Sequence, residues 1–306
     1  MNIGLWKERF SEFLELRGYA ERTIYSYTHE TGRFLLFLVE ERSIEELHQL
    51  GREDILAYGV FLCEYRKDDG EPLSVSSRAR RLSTVSRFLS FLHQEKFTLQ
   101  DLSEAVILPK LPDHLPPEIP SEEEVFQLLE SVETQEILGL RDRAILELLY
   151  GCALRNRELR RLQVNSVDFH RLDLRVKQGK GGKDRLLPLG EPAAVWLEAY
   201  LSKSRPHLLK SQEENHLFLN SRGKPLIPET LSDMVRKRAV QAGLPMKVTP
   251  HILRHACATH MLSRKASIRH LQKFLGHSQV SVTERYARVD ISDLREVLLR
   301  CHPRES

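Results

Sequence analysis

The sequence predicts a mainly α-helical protein with a small antiparallel β-sheet, an α+β chain of two domains in which the second holds the sheet. Three observations carry this. Apolar residues recur at three- and four-residue intervals through the first 110 residues, the period of helices with one buried face. Five prolines fall within the thirteen residues 108–120, LPKLPDHLPPEIP, which cannot be helical because proline fixes φ and lacks an amide donor. Residues 172–177 alternate apolar and charged before a glycine-rich turn, which is strand periodicity.

In chain order, Phe10, Phe13, Leu14 and Leu16 mark a first helix. Thr23 is read as the cap of a second, which carries Ile24, Tyr27, Phe34, Leu35 and Leu38. Residues 55–65 form a third and 75–93 a fourth, with Leu82, Val85, Leu89 and Leu92 inward. Arg78, Arg80, Arg81 and Arg87 on that fourth helix suit either a solvated basic face or one that contacts phosphate. The proline-rich stretch separates domain 1–107 from domain 121–306. Ser121 then opens SEEEVFQLLE, with Glu124 completing a capping box. Leu172, Leu174 and Val176 point one way and Asp173, Arg175 and Lys177 the other. Residues 179–183, GKGGK, make the turn and 185–189 the returning strand; 217–219 is read as a further strand. A helix over 228–243 stops at Gly243, and a tail follows from 289 to 306.

With 306 residues, twice the size of a common domain, each half can bury an ordinary core. Charged residues at 29% and hydrophobic ones at 41% exclude disordered and collagenous chains. The longest apolar cluster, near 34–39, is far short of a membrane span, and MNIGLWKERF lacks a signal-peptide core. Four scattered cysteines without a CxxC pair read as reduced thiols of a cytoplasmic protein. The net charge of +3 is unevenly spread: residues 1–110 hold 15 basic against 18 acidic side chains, and residues 111–306 hold 31 against 25. The basic excess of the second part points to a polyanion partner there.

Four segments set polar residues against apolar scaffolding: YGCALRNREL at 150–159, QGKGGKDR at 178–185, TPHILRHACATH at 249–260 and LGHSQVSVTERY at 275–286. In the third, Thr249 is an N-cap and Pro250 suits the first turn, so His251 and Arg254 share one helix face near a positive helix end, an anion site. His251 and His255 have the i, i+4 spacing of zinc proteases, but Ile252 stands where HExxH needs Glu, and Arg254 would repel a dication. GKGGK lacks the pattern of a nucleotide-binding P-loop.

In order and spacing, these segments together resemble the tyrosine recombinase (phage integrase) family. The matching positions are Arg155 in ALRNREL, Lys180 in GKGGK, His251 and Arg254 in HILRH, His277 in LGH, and Tyr286 nine residues beyond His277. GYAERTIYSY looks like part of that family's helical, SAM-like core-binding domain, and the compact two-domain chain is similar to its Xer-type branch. Asn156 and Arg157 depart from the usual Val-Ser, Lys265-Ala266 from a usual Gly, and SVTERY from STTQIY.

The resemblance implies a DNA strand transesterification. Tyr286 attacks a backbone phosphate, expels a 5′-oxygen and becomes linked to the 3′-phosphate. No cofactor is called for, neither ATP nor a metal. Phenol, with a pKa near ~10, needs a proton acceptor, for which His251 is the candidate. Arg155 and Arg254 clamp the non-bridging oxygens, His277 hydrogen-bonds the phosphate, and Lys180 protonates the leaving oxygen, with Lys183 its local rival. Glu158, three residues after Arg155, is read as orienting it, or else as a surface helix charge. The implied partners are duplex DNA at specific sites and a tetramer on two such sites. A second related recombinase and a DNA translocase also fit that scheme; a membrane does not. The implied task is resolution of chromosome or plasmid dimers, with integration or excision of a mobile element, or topoisomerase-like relaxation, as alternatives.

Overall fold

The computed structural model describes residues 2–112, 118–177, 184–276 and 291–305. The chain divides into two compact units, Met1–Leu115 and Pro116–Ser306.

The first unit is a helical bundle of α1 (Ile3–Leu16), α2 (Glu21–Glu40), α3 (Arg52–Glu64) and α4 (Val75–Gln94). Asn2 caps α1 and Ser74 caps α4, each side-chain oxygen accepting a first-turn N–H. Phe10, Phe13 and Leu14 are buried as expected, but Leu16 is exposed, because two residues beyond Leu14 it falls on the opposite side of the helix. Thr23 is not the cap of α2. It lies in the first turn, its N–H on the Ala20 carbonyl at 2.7 Å, and extended Ala20 takes the N-cap position. α3 begins three residues before the predicted start, where the Gly51 N–H donates to the Asp54 carboxylate at 2.9 Å. Phe10, Phe88 and Phe91 pack edge-on or tilted against one another at 5.3–5.9 Å between centroids in the core. Three of the four α4 arginines turn inward: Arg81 to Glu30 at 3.3 Å, Arg87 to the Tyr19 hydroxyl at 2.7 Å and Arg78 to the Cys63 sulfur at 2.7 Å. Arg80 alone of these four is exposed.

The second unit packs helices around α6 (Ile137–Gly151), which is buried on nearly every side; its charged residues are buried too, and are paired, Arg141 with Asp142 at 2.7 Å and Arg143 with Glu147 at 3.0 Å. Before it, α5 (Glu122–Glu130) has the predicted capping box: Ser121 Oγ accepts the Glu124 N–H at 3.2 Å and the Glu124 carboxylate accepts the Ser121 N–H at 2.7 Å. The short α7 (Asn156–Arg160) leads into a three-stranded antiparallel sheet, β1 (Val167–Asp168), β2 (Asp173–Val176) and β3 (Arg185–Pro188), in the order β1-β2-β3 with Val176 opposite Arg185. β2 starts at Asp173, since Leu172 is left-handed at φ 51°. Asp173 is buried rather than outward, held by Arg295 at 2.7 Å.

α8 (Glu191–Ala199) continues through a π-turn into α9 (Arg205–Leu208). Residues 217–219 do not join the sheet as predicted. Their backbone partners lie outside the sheet: the Leu217 N–H donates to the Leu162 carbonyl at 2.8 Å, Leu219 forms an isolated bridge with Pro225, and the Tyr200 hydroxyl donates to the Leu217 carbonyl at 3.1 Å and accepts the Leu219 N–H at 3.4 Å. α10 (Pro228–Gln241) ends before Gly243, whose φ of 76° turns the chain. α11 (Pro250–Ser263), α12 (Ile268–Leu275) and α13 (Ile291–Cys301) complete the unit. The stripe Leu294, Val297, Leu298 of α13 is buried in the core of its own unit. No helix among the described residues is long and apolar enough to cross a membrane.

Candidate active site

Arg155 is the N-cap residue of α7, placed there by a tight bend at Ala153, whose φ is 47°. Its side chain curls back so that Nη1 donates to Glu158 Oε1 at 2.7 Å, while its backbone N–H donates to Oε2 at 2.8 Å. Nη2 donates to the carbonyl of Gly276 at 3.2 Å. Glu158 is therefore no surface charge: it is 4% exposed and lies beneath Arg155.

Arg254 reaches the same point from α11. The Thr249 cap is as predicted, its hydroxyl accepting the Ile252 N–H at 3.2 Å, and Pro250 opens the helix. Arg254 lies one turn further, buried, with Nη1 on the Ala153 carbonyl at 2.5 Å and Nη2 on the Leu275 carbonyl at 2.6 Å. Its Nη1 is 3.8 Å from Glu158. Burial, and then the neighbouring Arg155, bring its pKa down to about 10, so it stays charged at neutral pH. His251, on the same face of α11, is exposed in the first turn.

A third arginine, not singled out from the sequence, completes the cluster. Arg185, first residue of β3, grips Glu158 with both ends of its fork, Nη1 to Oε1 at 2.7 Å and Nη2 to Oε2 at 2.9 Å. Burial works to raise the Glu158 pKa, but the Arg185 and Arg155 bonds outweigh it and hold the carboxyl down to about 2. Three guanidinium groups thus share one carboxylate. The surplus of two positive charges, close to the carbonyl end of α12, suits an oxyanion. The one sequence signal for Arg185 is a charged residue opening a strand opposite buried Val176, which shares its face of the sheet.

Lys180, His277 and Tyr286, like the alternative Lys183, lie outside the described residues. Their chain neighbours are placed: β2 and β3 flank the segment with the lysines, and Gly276, which precedes His277, caps α12 at φ 64°. Among the described residues no three His, Cys, Asp or Glu side chains gather as metal ligands. His260 instead accepts from the Tyr150 hydroxyl through Nδ1, at 2.9 Å, when that nitrogen is unprotonated. Cys152 and Cys257 are fully buried; burial pushes the Cys152 thiol up to about 12 and raises Cys257 too, which makes both poor nucleophiles.

The sequence profile of the phage integrase family matches residues 120–292, and that of the phage integrase N-terminal SAM-like domain matches residues 8–96. Tyrosine recombinase XerC 2 of Ralstonia nicotianae is 37% identical over 298 residues, covering 97% of this chain and 85% of that protein. Tyrosine recombinase XerD of Vibrio cholerae is 37% identical over 290 residues, covering 94% of this chain and 92% of that protein. Among solved structures, the XerA recombinase aligns over 96% of this chain and 97% of that one, with TM-score 0.50 and 29% identity. A lambda integrase dimer bound to a COC′ core site aligns over 95% of this chain and 100% of that one, with TM-score 0.67 at 19% identity, a likeness of fold.

Proposed function

This chain belongs to the phage integrase family, as a site-specific tyrosine recombinase, and from that premise we propose that it cuts and rejoins duplex DNA through a 3′-phosphotyrosine link on Tyr286. Each exchange swaps one phosphate ester for another, so the bond energy is kept in the covalent link. Arg155 and Arg254 hold the non-bridging oxygens of the scissile phosphate. Their guanidinium groups stay charged and stabilise the negative charge that those oxygens carry in the transition state. His251 accepts the phenolic proton, His277 hydrogen-bonds the phosphate, and Lys180 delivers a proton to the departing 5′-oxygen.

The observation that carries this reading is the meeting of Arg155 and Arg254, 99 positions apart in sequence, at one buried carboxylate with net positive charge left over. The likeness to Xer-type relatives supports resolution of chromosome or plasmid dimers in the cytoplasm. Two sites with two half-sites each call for four subunits, identical or shared with a second recombinase, and a DNA translocase fits as the agent that brings sites together.

The test is Tyr286→Phe. Removing only a hydroxyl should abolish covalent protein–DNA adducts and leave DNA binding nearly intact. Adducts formed by the Phe variant on a nicked suicide duplex would overturn the assignment.

A further inference from the structure

We propose that Arg185 is a positioning residue of the strand-cleavage reaction: its fork fixes both oxygens of Glu158 and thereby sets where Arg155 presents its guanidinium. This deepens the recombinase reading above and rests on it.

Glu158 must serve several donors from several elements. Arg155 on α7 donates its backbone N–H to Oε2 and Nη1 to Oε1; Arg185 on β3 donates to both oxygens; Arg254 on α11 stands 3.8 Å from Oε2. A carboxylate among three guanidinium groups can turn toward any of them. The two parallel bonds from Arg185 remove that freedom, since a planar fork meets both oxygens at once and fixes the carboxylate plane. Glu158 is then held for Arg155, and Arg254 is left to the carbonyls of Ala153 and Leu275.

Arg185 is itself pinned. Its side chain is 10% exposed, its strand is paired with β2, and it passes so close to Gly276 that a Cβ there would lie 3.1 Å from its guanidinium end. It thus fastens the strand that follows the Lys180 segment to the helix end that precedes His277. A lysine in its place would keep the charge and lose the fork.

The experiment measures single-turnover adduct formation on a suicide duplex whose site is recovered by sequencing DNA trapped on the wild-type chain. Arg185→Ala should slow adduct formation about 100-fold, the cost of an ångström-scale misplacement, with DNA affinity within a few-fold of wild type. Arg185→Lys should recover only part of the rate. In a Glu158→Gln background, Arg185→Ala should add little, because the two act as one unit. The acid limb of the rate profile should move to higher pH in Arg185→Ala, because Glu158 would keep Arg155 and Arg254 nearby but lose its strongest partner.

Wild-type rates in Arg185→Ala or Arg185→Lys, independent losses in the double variant, unchanged acid limbs, or a loss wholly of DNA affinity would each overturn the inference. Should Arg185→Ala not fold by circular dichroism, Arg185→Lys and Arg185→Met are judged by the same criteria. No adduct from the wild-type chain would overturn the recombinase reading and this inference with it. Adducts at equal rates from wild type and variant would overturn this inference alone.

Discussion

Two buried carboxylates eleven residues apart, Glu147 and Glu158, collect arginines in opposite ways. Glu147 on α6 binds Arg143 at 3.0 Å and Arg304 at 2.7 Å. Both of its arginines are covered by aromatic rings, Arg143 over Trp196 at 4.6 Å and Arg304 over Phe126 at 5.5 Å. Beside them, His302 stands edge-on against Tyr150 at 5.0 Å, so the end of the chain is plugged into its own domain. Glu158 has a third guanidinium within reach, and Arg155 remains partly open, its side chain 27% exposed. The spare N–H groups there rest on backbone carbonyls of Ala153, Leu275 and Gly276, neutral acceptors that an anion can outbid. The first centre is closed and holds structure. The second keeps unspent charge at a surface, which is what a phosphate site needs.

The largest effects should break this contrast from both sides. Arg254→Ala should lower single-turnover cleavage by about 1000-fold, the scale for losing a charged transition-state donor. Arg304→Ala should cost stability of about 3 kcal/mol, because Glu147 loses one of two partners in a buried site, with cleavage per folded molecule unchanged. Urea denaturation and cleavage rates on the same preparations check both. If Arg304→Ala slowed chemistry as much as Arg254→Ala, the two centres would not be separable.

Much of this fold is legible from local pattern, and the rest depends on partners far away in sequence. The four helices of the first unit, the capping box at Ser121 and the Thr249–Pro250 start of α11 are local signals, and the structure has them. Asp173, on the charged side of the alternation at 172–177, is buried because Arg295, 122 positions on, pairs with it. The strand at 217–219 does not join the sheet because its backbone pairs elsewhere, with the Leu162 carbonyl, with Pro225 and with a tyrosine hydroxyl 17 positions upstream. The candidate site divides in the same way. Arg155 and Glu158 are close in sequence and their contact could be anticipated. Arg185 joins Glu158 across 27 positions, and no periodicity marks that pairing.

A smaller effect separates the centres by acid. Burial brings the His302 pKa from 6.5 to about 3, so this group is neutral in the fold and binds its proton more readily when unfolded. Stability it contributes is present above pH 6.5 and is lost as pH falls from 6.5 toward about 3, at up to about 1.4 kcal/mol per pH unit. Glu158 is depressed from 4.5 to about 2, so its contribution is present above pH 4.5 and lost only below that. Between pH 6.5 and 4.5 the His302 centre should therefore supply most of the slope that separates the two. His302→Phe, which keeps a ring on Tyr150, should flatten the stability curve there. An unchanged slope in that variant would place the acid sensitivity elsewhere.

The smallest predicted effects come from adding one methyl group beside each centre. Gly190 has an ordinary negative φ of −66°, and a Cβ there would meet Glu305 Oε1 at 2.0 Å. That oxygen ends a flexible side chain whose bond to the Glu191 N–H is long, at 3.4 Å, so it can swing aside. Gly276 differs in both respects. Its φ of 64° is strained for any L side chain, and the atoms a Cβ would meet at 3.1 Å belong to Arg185, which Glu158 already holds by two bonds. Gly190→Ala should therefore cost well under about 1 kcal/mol and leave cleavage alone, since only a surface contact moves. Gly276→Ala should cost about 1–2 kcal/mol for the left-handed backbone, and it should also slow cleavage several-fold because Arg185 must shift to admit the methyl. Thermal denaturation gives the first quantity and single-turnover cleavage the second. If Gly276→Ala lost stability but cleaved at the wild-type rate, the closeness of Arg185 to the end of α12 would be packing alone, and the contrast between the two centres would rest on charge without geometry.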